Sequence, residues 1–392
     1  METSVFKFIA LSDTHITATR TSLQGKVSDL IVDAIVKYHK DAAFIVNCGD
    51  LSNDNFKETG GIKRESYIYN DIWYTKAMRV GLPHYYDGFG NHDIFVGKAP
   101  ANNDDMRVFL TKKNKKRKAN GEITALCDKN MNYEWQIKKG DITFHFIMLN
   151  LFPKAPVSKA TEEIAENEPD GGKRTDYNSY NFLKQRLEQI PTSSLDKHPV
   201  FLFHHYGFIF NSFKRLHEEH WPEKEIEAYI NLIKKYNIAC ITYGHFHSTQ
   251  ILYLNDTTRD NHNKSEKYKF TTSYDNILKN TPYYKEANGK NQTGINTLIC
   301  GATFSSEKMT EGISPDESGE AVLMGIPFEE LENIQESIPI GGYVVCTVTI
   351  YPEKPQNIKL SCVAKRVKRA GTDITESNVI FKTYDISWPR RK

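Results

Sequence analysis

No apolar run in the 392-residue chain approaches the ~20 residues that a membrane-spanning helix needs. Cysteine is sparse, with only Cys48, Cys127, Cys240, Cys300, Cys346 and Cys362, and no C-x-x-C pair occurs. Four of the six lie inside strand-like runs, which argues for buried reduced thiols and against a disulfide framework. An excess of either charge is also missing. With 51 Lys and Arg against 49 Asp and Glu, bulk electrostatics select neither nucleic acid nor an anionic membrane as partner. No internal repeat is visible. The first strand-like run starts at Val5 and leaves no room for a secretory leader, so the expectation is a cytoplasmic chain. The chain is 39% hydrophobic and 12% aromatic, enough to bury the core of one large domain or two smaller ones.

Apolar spacing divides the chain into elements. Val27, Leu30, Ile31, Ala34, Ile35 and Tyr38 form one helical stripe over residues 26–40. The stripe sits between the strand-like runs Val5–Leu11 and Ala43–Val46, so a βαβ unit with a parallel strand pair is expected. Further helices are predicted over Asp176–Ile190, with Tyr180, Leu183 and Leu187 inward, and over Glu223–Tyr236, with Ile226, Tyr229, Ile230 and Ile233 on one face. Tyr133–Ile137 and Ile142–Leu149 read as a hairpin, and Tyr85-Tyr86, Val200–Phe203, Ile238–Tyr243 and Asn296–Gly301 as strands. Three polar insertions, about 99–126, 154–173 and 255–294, interrupt the pattern and read as solvated loops; the first carries the basic run Lys112–Lys118. Residues 1–303 then form a core, and 304–392 a β-rich segment that completes the second sheet or forms a small appended domain. Its strands are Tyr343–Ile350, Asn357–Lys365 and Val379–Tyr384. His84, His145, His217 and His220 read as hydrogen-bonded core histidines.

Five polar clusters each close a strand-like run. They are Asp13-Thr14-His15, Gly49-Asp50, Gly90-Asn91-His92-Asp93, His204-His205 and Gly244-His245-Phe246-His247. In an open α/β sheet such strand ends converge. Carboxylate, imidazole and amide oxygen together suit divalent first-row cations. In an extended segment residues i and i+2 point the same way, so His245 and His247 can face one site while Phe246 packs behind. Singly, each cluster is more often a cap or a turn. Jointly, caps and turns give no reason for six histidines and an Asn at five ordered strand ends.

These clusters, in this order, resemble the calcineurin-like metallophosphoesterase superfamily, whose pattern is D-x-H, G-D, G-N-H-[DE], a lone His, then G-H-x-H. They span residues 13 to 247. The resemblance implies a four-layer α/β/β/α sandwich: two mixed sheets face to face, flanked by helices, with a dinuclear metal site at the strand C-terminal ends. It implies one cation on Asp13, His15, Asp50 and His247, a second on Asp50, Asn91, His204 and His245, and Asp50 shared between them. His204 is preferred to His205 as the ligand. His205, Tyr206 (where the family's H-x-P has Pro) and Phe246 are then supporting or substrate-contacting residues. His92 is similar to the family's catalytic histidine, with Asp93 its partner, fixing the tautomer and keeping it protonated.

Two departures bear on subfamily. Gly49-Asp50-Leu51-Ser52-Asn53-Asp54 lacks the protein phosphatases' G-D-x-x-D-R-G, and Asn53 stands where purple acid phosphatases carry a ligand Tyr. The implied reaction is phosphoester hydrolysis by a hydroxide held between two divalent cations, with Mn, Fe or Zn all suited. A phosphodiester is the first choice of substrate. A phosphomonoesterase, or a nuclease using Lys112–Lys118, is the alternative. A non-catalytic interaction module is disfavoured because no ligand is missing. Oligomeric state stays open.

Overall fold

The computed structural model describes residues 4–17, 20–53, 61–81, 84–93, 106–151, 179–206, 228–229, 231–233, 235–244, 250–254, 295–299, 340–351 and 354–386. Strands numbered in chain order form two mixed sheets. The first runs β13 (Asp373–Asp385), β12 (Lys354–Ala370), β11 (Ile340–Tyr351), β1 (Ser4–Leu11), β2 (Phe44–Asn47) and β3 (His84–Asp87). The second runs β4 (Ala125–Leu126), β5 (Tyr133–Lys139), β6 (Ile142–Met148), β7 (Val200–Phe203), β8 (Ile238–Tyr243), β10 (Ile295–Ile299) and β9 (Gln250–Leu254).

The parallel strands occupy one side of the first sheet and the middle of the second. β1–β2–β3 are parallel, with α1 (Leu23–Tyr38) as the crossover between β1 and β2. In the other sheet β6, β7, β8 and β10 are parallel. Such strands bury both faces, and alternation assigns each face to a layer. Phe6, Phe8 and Ala10 of β1 enter the core between the sheets, while Ile9 and Leu11 face α1. Phe201 and Phe203 of β7 meet them from the other sheet, while Val200 and Leu202 face α5 (Ser179–Glu188). Three apolar cores between four layers result. Phe8 stacks on Phe44 at 4.9 Å, and Trp135 on Tyr86 at 4.1 Å, in the central one.

Most expected elements recur, with specific corrections. The terminal strands extend the first sheet, not the second: β11 pairs antiparallel with β1, placing Phe8 opposite Cys346. The physical reason is that β2 pairs with only one edge of β1, and β11 satisfies the other. Val344, Cys346, Val348 and Ile350 alternate into the inter-sheet core, while Val345 faces α1. Within the insertion expected to be a loop, Met106–Ala119 is a helix, α4, reached after α2 (Gly61–Asn70) and α3 (Ala77–Val80). It buries Met106, Leu110, Asn114 and Arg117 at successive turns, a stripe that its lysines obscured. Tyr38 was expected inward but is exposed, its hydroxyl donating to the Ile374 carbonyl at 2.6 Å. His84 is exposed, whereas His145 is buried with Nδ1 2.7 Å from Glu134 Oε1.

Of the helix expected over Glu223–Tyr236, Ala228, Tyr229 and residues 231–233 are helical, Lys235 and Tyr236 lie past its end, and residues 223–227, 230 and 234 lie outside the described residues. So do the insertions 154–173 and 255–294, and His217, His220 and Cys300. Cys48, Cys127, Cys240, Cys346 and Cys362 are free thiols. Among the described residues no helix is long and apolar enough to cross a membrane.

Candidate metal centre

The site forms where β1, β2, β3 and β7 end. Past β1 the chain turns sharply, with Asp13 at φ 57° and His15 at φ 43°; Asp50, past β2, sits at φ 50°. Left-handed backbone at three non-glycine residues is strained and persists only when its surroundings impose it. Here the two loops pin each other. Asp13 N–H donates to Gly49 O at 2.8 Å, His15 N–H to Asp50 O at 2.9 Å, and Ile16 N–H to Leu51 O at 2.9 Å. Gly49 at φ 116° and Gly90 complete the fit. A Cβ on Gly90 would collide with Asp50 Oδ1 and the His205 ring, so the third turn can approach only as glycine.

Asp50 is the centre. It is buried, and its Oδ1 accepts the His92 backbone N–H at 2.9 Å. Its Oδ2 lies 3.2 Å from His205 Nε2 and 3.7 Å from His15 Nε2, and among the described residues no aligned hydrogen-bond donor reaches that oxygen. His15 Nε2 is 3.9 Å from Asp13 Oδ1. Ligand atoms therefore cluster in two groups sharing Asp50: His15, Asp50 and His92, and Asp13, Asp50 and His205. Burial would raise the Asp50 carboxyl, but His205, His92 and His15 overcome it and hold it well below the usual range. Burial would lower His205, yet the Asp50 carboxylate pushes it up to about 9. Imidazole nitrogens thus face a buried carboxylate from two sides. The donor set fits divalent cations in that place.

The adjacent histidines point to different layers. His205 Nδ1–H donates to the Cys48 carbonyl at 3.2 Å, which turns Nε2 to Asp50. The His204 ring instead lies parallel to Tyr243, centroids 5.9 Å apart. Its Nδ1–H donates to Tyr206 O at 2.7 Å, and its Nε2 faces the Tyr229 hydroxyl at 3.3 Å. Burial lowers His204 to about 4. The structure thus brings His205 to Asp50, not His204, the residue expected there. Tyr206 is buried, edge-on to His205 with centroids 5.3 Å apart.

Asn91, His92 and Asp93 form a short 3-10 turn past β3, in which the structure describes Asn91 through its backbone. His92 Nδ1 hydrogen-bonds the Asn53 carbonyl, so Nδ1 carries the hydrogen and Nε2 the lone pair. Its ring stands edge-on to His15, centroids 4.7 Å apart. Asp93 was expected to orient His92, but its carboxylate accepts Leu51 N–H at 3.0 Å, Gly90 N–H at 2.9 Å, and the Ser52 N–H and Oγ at 2.8 Å each. It ties the second loop to the third. Burial, with the Asp50 charge, pushes it up to about 7. His245, Phe246 and His247 lie outside the described residues.

Sequence reasoning passed over two amides. Asn47 Oδ1 accepts the Gly49 N–H at 3.1 Å, and Asn150 Oδ1 accepts the Phe89 N–H at 3.0 Å. Both close an apolar strand run, Phe44–Val46 and Ile147–Leu149, and that position was the signal available.

The fold is thus a two-sheet α/β sandwich with a buried carboxylate–imidazole cluster at its strand ends. The model of the calcineurin-like phosphoesterase family matches residues 6–249, well over half of the 392, and the chain belongs to that family. Three solved structures are similar at low identity. A purple acid phosphatase, PPD1, from yellow lupin (Lupinus luteus) seeds matches at 13% identity and a TM-score of 0.49, over 98% of this chain and 54% of that one. The chain therefore spans about half the length of the lupin protein. The calcineurin-like phosphoesterase YfkN from Bacillus subtilis matches at 10% and 0.37, over 100% and 93%. A metallophosphoesterase from Sphaerobacter thermophilus matches at 10% and 0.27, over 96% and 90%. No curated protein sequence matches the chain.

Proposed function

We propose that the protein hydrolyses a phosphodiester with two divalent cations held by Asp13, His15, Asp50, Asn91, His205, His245 and His247. The observation that carries this reading is the Asp50 carboxylate, buried among ring nitrogens and shared by both ligand groups. Divalent ions such as Mn, Fe or Zn, when bound, polarise phosphoryl oxygen and activate water at neutral pH.

The chain's own groups do the rest. Asp50 supplies the negative charge that two neighbouring cations need between them. His205 takes the ligand role first expected of His204, because its Nδ1–H is spent on Cys48 O and its Nε2 faces the carboxylate. His92, with its Nδ1 hydrogen fixed on Asn53 O, presents Nε2 as the atom that takes up a proton from water and hands it to the leaving oxygen. Asp93 acts on the backbone, holding the loops that carry Asp50 and His92 in mutual register. The absence of G-D-x-x-D-R-G supports a diester over a phosphoprotein.

The test is a panel of alkyl and aryl phosphodiesters and phosphomonoesters on metal-stripped protein, with Mn, Fe or Zn restored in turn. Diester turnover above monoester turnover by about tenfold or more in kcat/KM supports the reading. Turnover confined to monoesters moves the substrate class, and turnover confined to nucleic acid with a steep salt dependence makes it a nuclease. No turnover of any ester with any metal overturns it.

A further inference from the structure

Beneath the metal centre lies a buried polar network that the hydrolytic reading does not use. Asp87, the last residue of β3, is buried with a guanidinium on one side and two phenols on the other. Arg117 of α4 places Nη1 2.9 Å from Asp87 Oδ1, and also donates to the Tyr74 hydroxyl at 2.6 Å and the Tyr85 carbonyl at 2.5 Å. Tyr69 and Tyr74 both donate to Asp87 Oδ2, at 3.1 and 2.6 Å. Residues five apart in an α-helix stand about 140° apart around the axis and could not share one carboxylate oxygen. Here the helix widens into a π turn over Asp71–Lys76, immediately after α2, and residues five apart then come nearly above one another.

From Asp87 the network runs to the metal centre with a fixed polarity. The Tyr69 hydroxyl lies 2.7 Å from the Tyr85 hydroxyl, which lies 3.1 Å from Asn47 Nδ2, and Asn47 Oδ1 accepts the Gly49 N–H at 3.1 Å. The ends allow only one direction, because a carboxylate only accepts and a backbone N–H only donates. Tyr69 therefore gives its hydrogen to Asp87, Tyr85 gives its own to Tyr69, and the Asn47 amide donates to Tyr85 while its oxygen holds Gly49. Gly49 precedes Asp50, whose left-handed backbone must be imposed from outside.

We propose that Tyr69, Tyr85 and Asn47 are positioning residues: a directional hydrogen-bond relay, anchored on the Asp87–Arg117 pair, fixes the Gly49–Asp50 turn and thereby sets metal affinity. The proposal rests on the metal-centre reading. Hydrogen bonds behind metal ligands act on affinity in this way. The relay also gives α4 a purpose, since its buried arginine holds the far end.

The neighbouring strand residue provides the control. Tyr86 makes one comparable hydroxyl bond, to Glu122 O at 3.1 Å, outside the relay. Metal-stripped wild type, Tyr85→Phe, Tyr69→Phe and Tyr86→Phe are titrated calorimetrically with Mn2+ and with Zn2+, and the Tm of each metal-free protein is recorded. Tyr85→Phe and Tyr69→Phe are expected to weaken binding by about 10–100-fold. Tyr86→Phe should bind as wild type, although it loses Tm like the others. Equal affinity in all four proteins, or equal weakening in Tyr86→Phe, overturns the relay. So does weakening in Tyr85→Phe alone, because the relay passes the effect through two hydroxyls. If Tyr85→Phe does not fold, Tyr69→Phe decides by the same criterion. A wild type that takes up neither ion overturns the metal-centre reading, and this proposal with it.

Discussion

His205 Nε2 stands 3.2 Å from Asp50 Oδ2, while the ring of the preceding residue, His204, lies parallel to Tyr243 in another layer. Both are buried histidines at the end of β7, and their surroundings give them opposite chemistry. His205 is pushed up to about 9 by the Asp50 carboxylate against the effect of burial, and His204 is lowered to about 4 by burial. One faces the buried Asp50 carboxylate, the other lies between Tyr206 O and the Tyr229 hydroxyl.

The first prediction follows from that division. His205→Ala should lose at least one cation per chain and on the order of 10² or more in kcat. His204→Ala should keep its metals but lose about 2–4 kcal/mol of stability, because it leaves a cavity beside Tyr243 and removes the hydrogen bonds to Tyr206 O and the Tyr229 hydroxyl. Metal content by mass spectrometry, with unfolding in urea, separates the two. The reverse pattern would return the ligand role to His204.

Arg117 makes the second. Removing one member of a buried ion pair costs about 3–5 kcal/mol, whereas exposed charges rarely matter by more than about 0.5. Arg117→Ala should therefore cost several kcal/mol in denaturant unfolding, and Lys112→Ala, on the exposed face of α4, almost nothing. Similar small effects in both would mean that the basic run is the solvated segment its composition suggests.

Glu376 yields a pH prediction. It lies 2.7 Å from both His39 Nε2 and Lys365 Nζ and accepts the Tyr343 hydroxyl, tying β13 to α1 and β11. Burial would raise it, but bonds from His39, Lys365 and Tyr343 hold it down at about 2, against 4.5 for a free side chain. A depressed carboxyl stabilises the fold fully above the unfolded value and loses that contribution as pH falls toward the folded one. Glu376→Gln should thus be less stable than wild type by about 1–3 kcal/mol at pH 7, and the gap should close between pH 4.5 and about 2. Urea midpoints for both proteins across that range provide the check; a gap independent of pH contradicts it.

Much of this was legible in the sequence because it depends on local order. Phe6, Phe8 and Ala10 alternate with Ile9 and Leu11, so β1 and its two buried faces could be read directly. Ligand types at successive strand ends were equally plain. What depends on a half-turn or on a distant partner was not. Whether His204 or His205 faces Asp50 depends on how the chain turns beyond Phe203, and the Cys48 carbonyl that His205 bonds lies 157 residues away. Asp93 was paired in the reading with its neighbour His92, whereas its actual partners, Leu51 and Ser52, sit about forty positions earlier. The strands after residue 340 were recognisable, but nothing in them announces β1 as their neighbour. α4 was hidden because its buried stripe uses Asn114 and Arg117, whose partners come from elsewhere in the chain: the Asn130 carbonyl for Asn114, and Asp87 and Tyr74 for Arg117.

His92 separates a proton carrier from a ligand. An alkoxide leaves as a strong base and needs the proton from Nε2; a nitrophenolate, with a conjugate-acid pKa of about 7, does not. His92→Ala should keep its metals, lose on the order of 10²–10⁴ in kcat on an alkyl ester, and lose far less on a nitrophenyl ester. Equal losses would assign it to the phosphoryl oxygens, and lost metal would make it a ligand.

The central claim is that Asp50 is shared between two cations, with His205 holding one of them. Anomalous diffraction at the manganese edge, from crystals of the protein loaded with Mn2+, tests it most directly. The account predicts two peaks, both against the Asp50 carboxylate, one reached by His15 and the other by His205. A single peak, or a pair of which one touches His204 and neither touches His205, would contradict it.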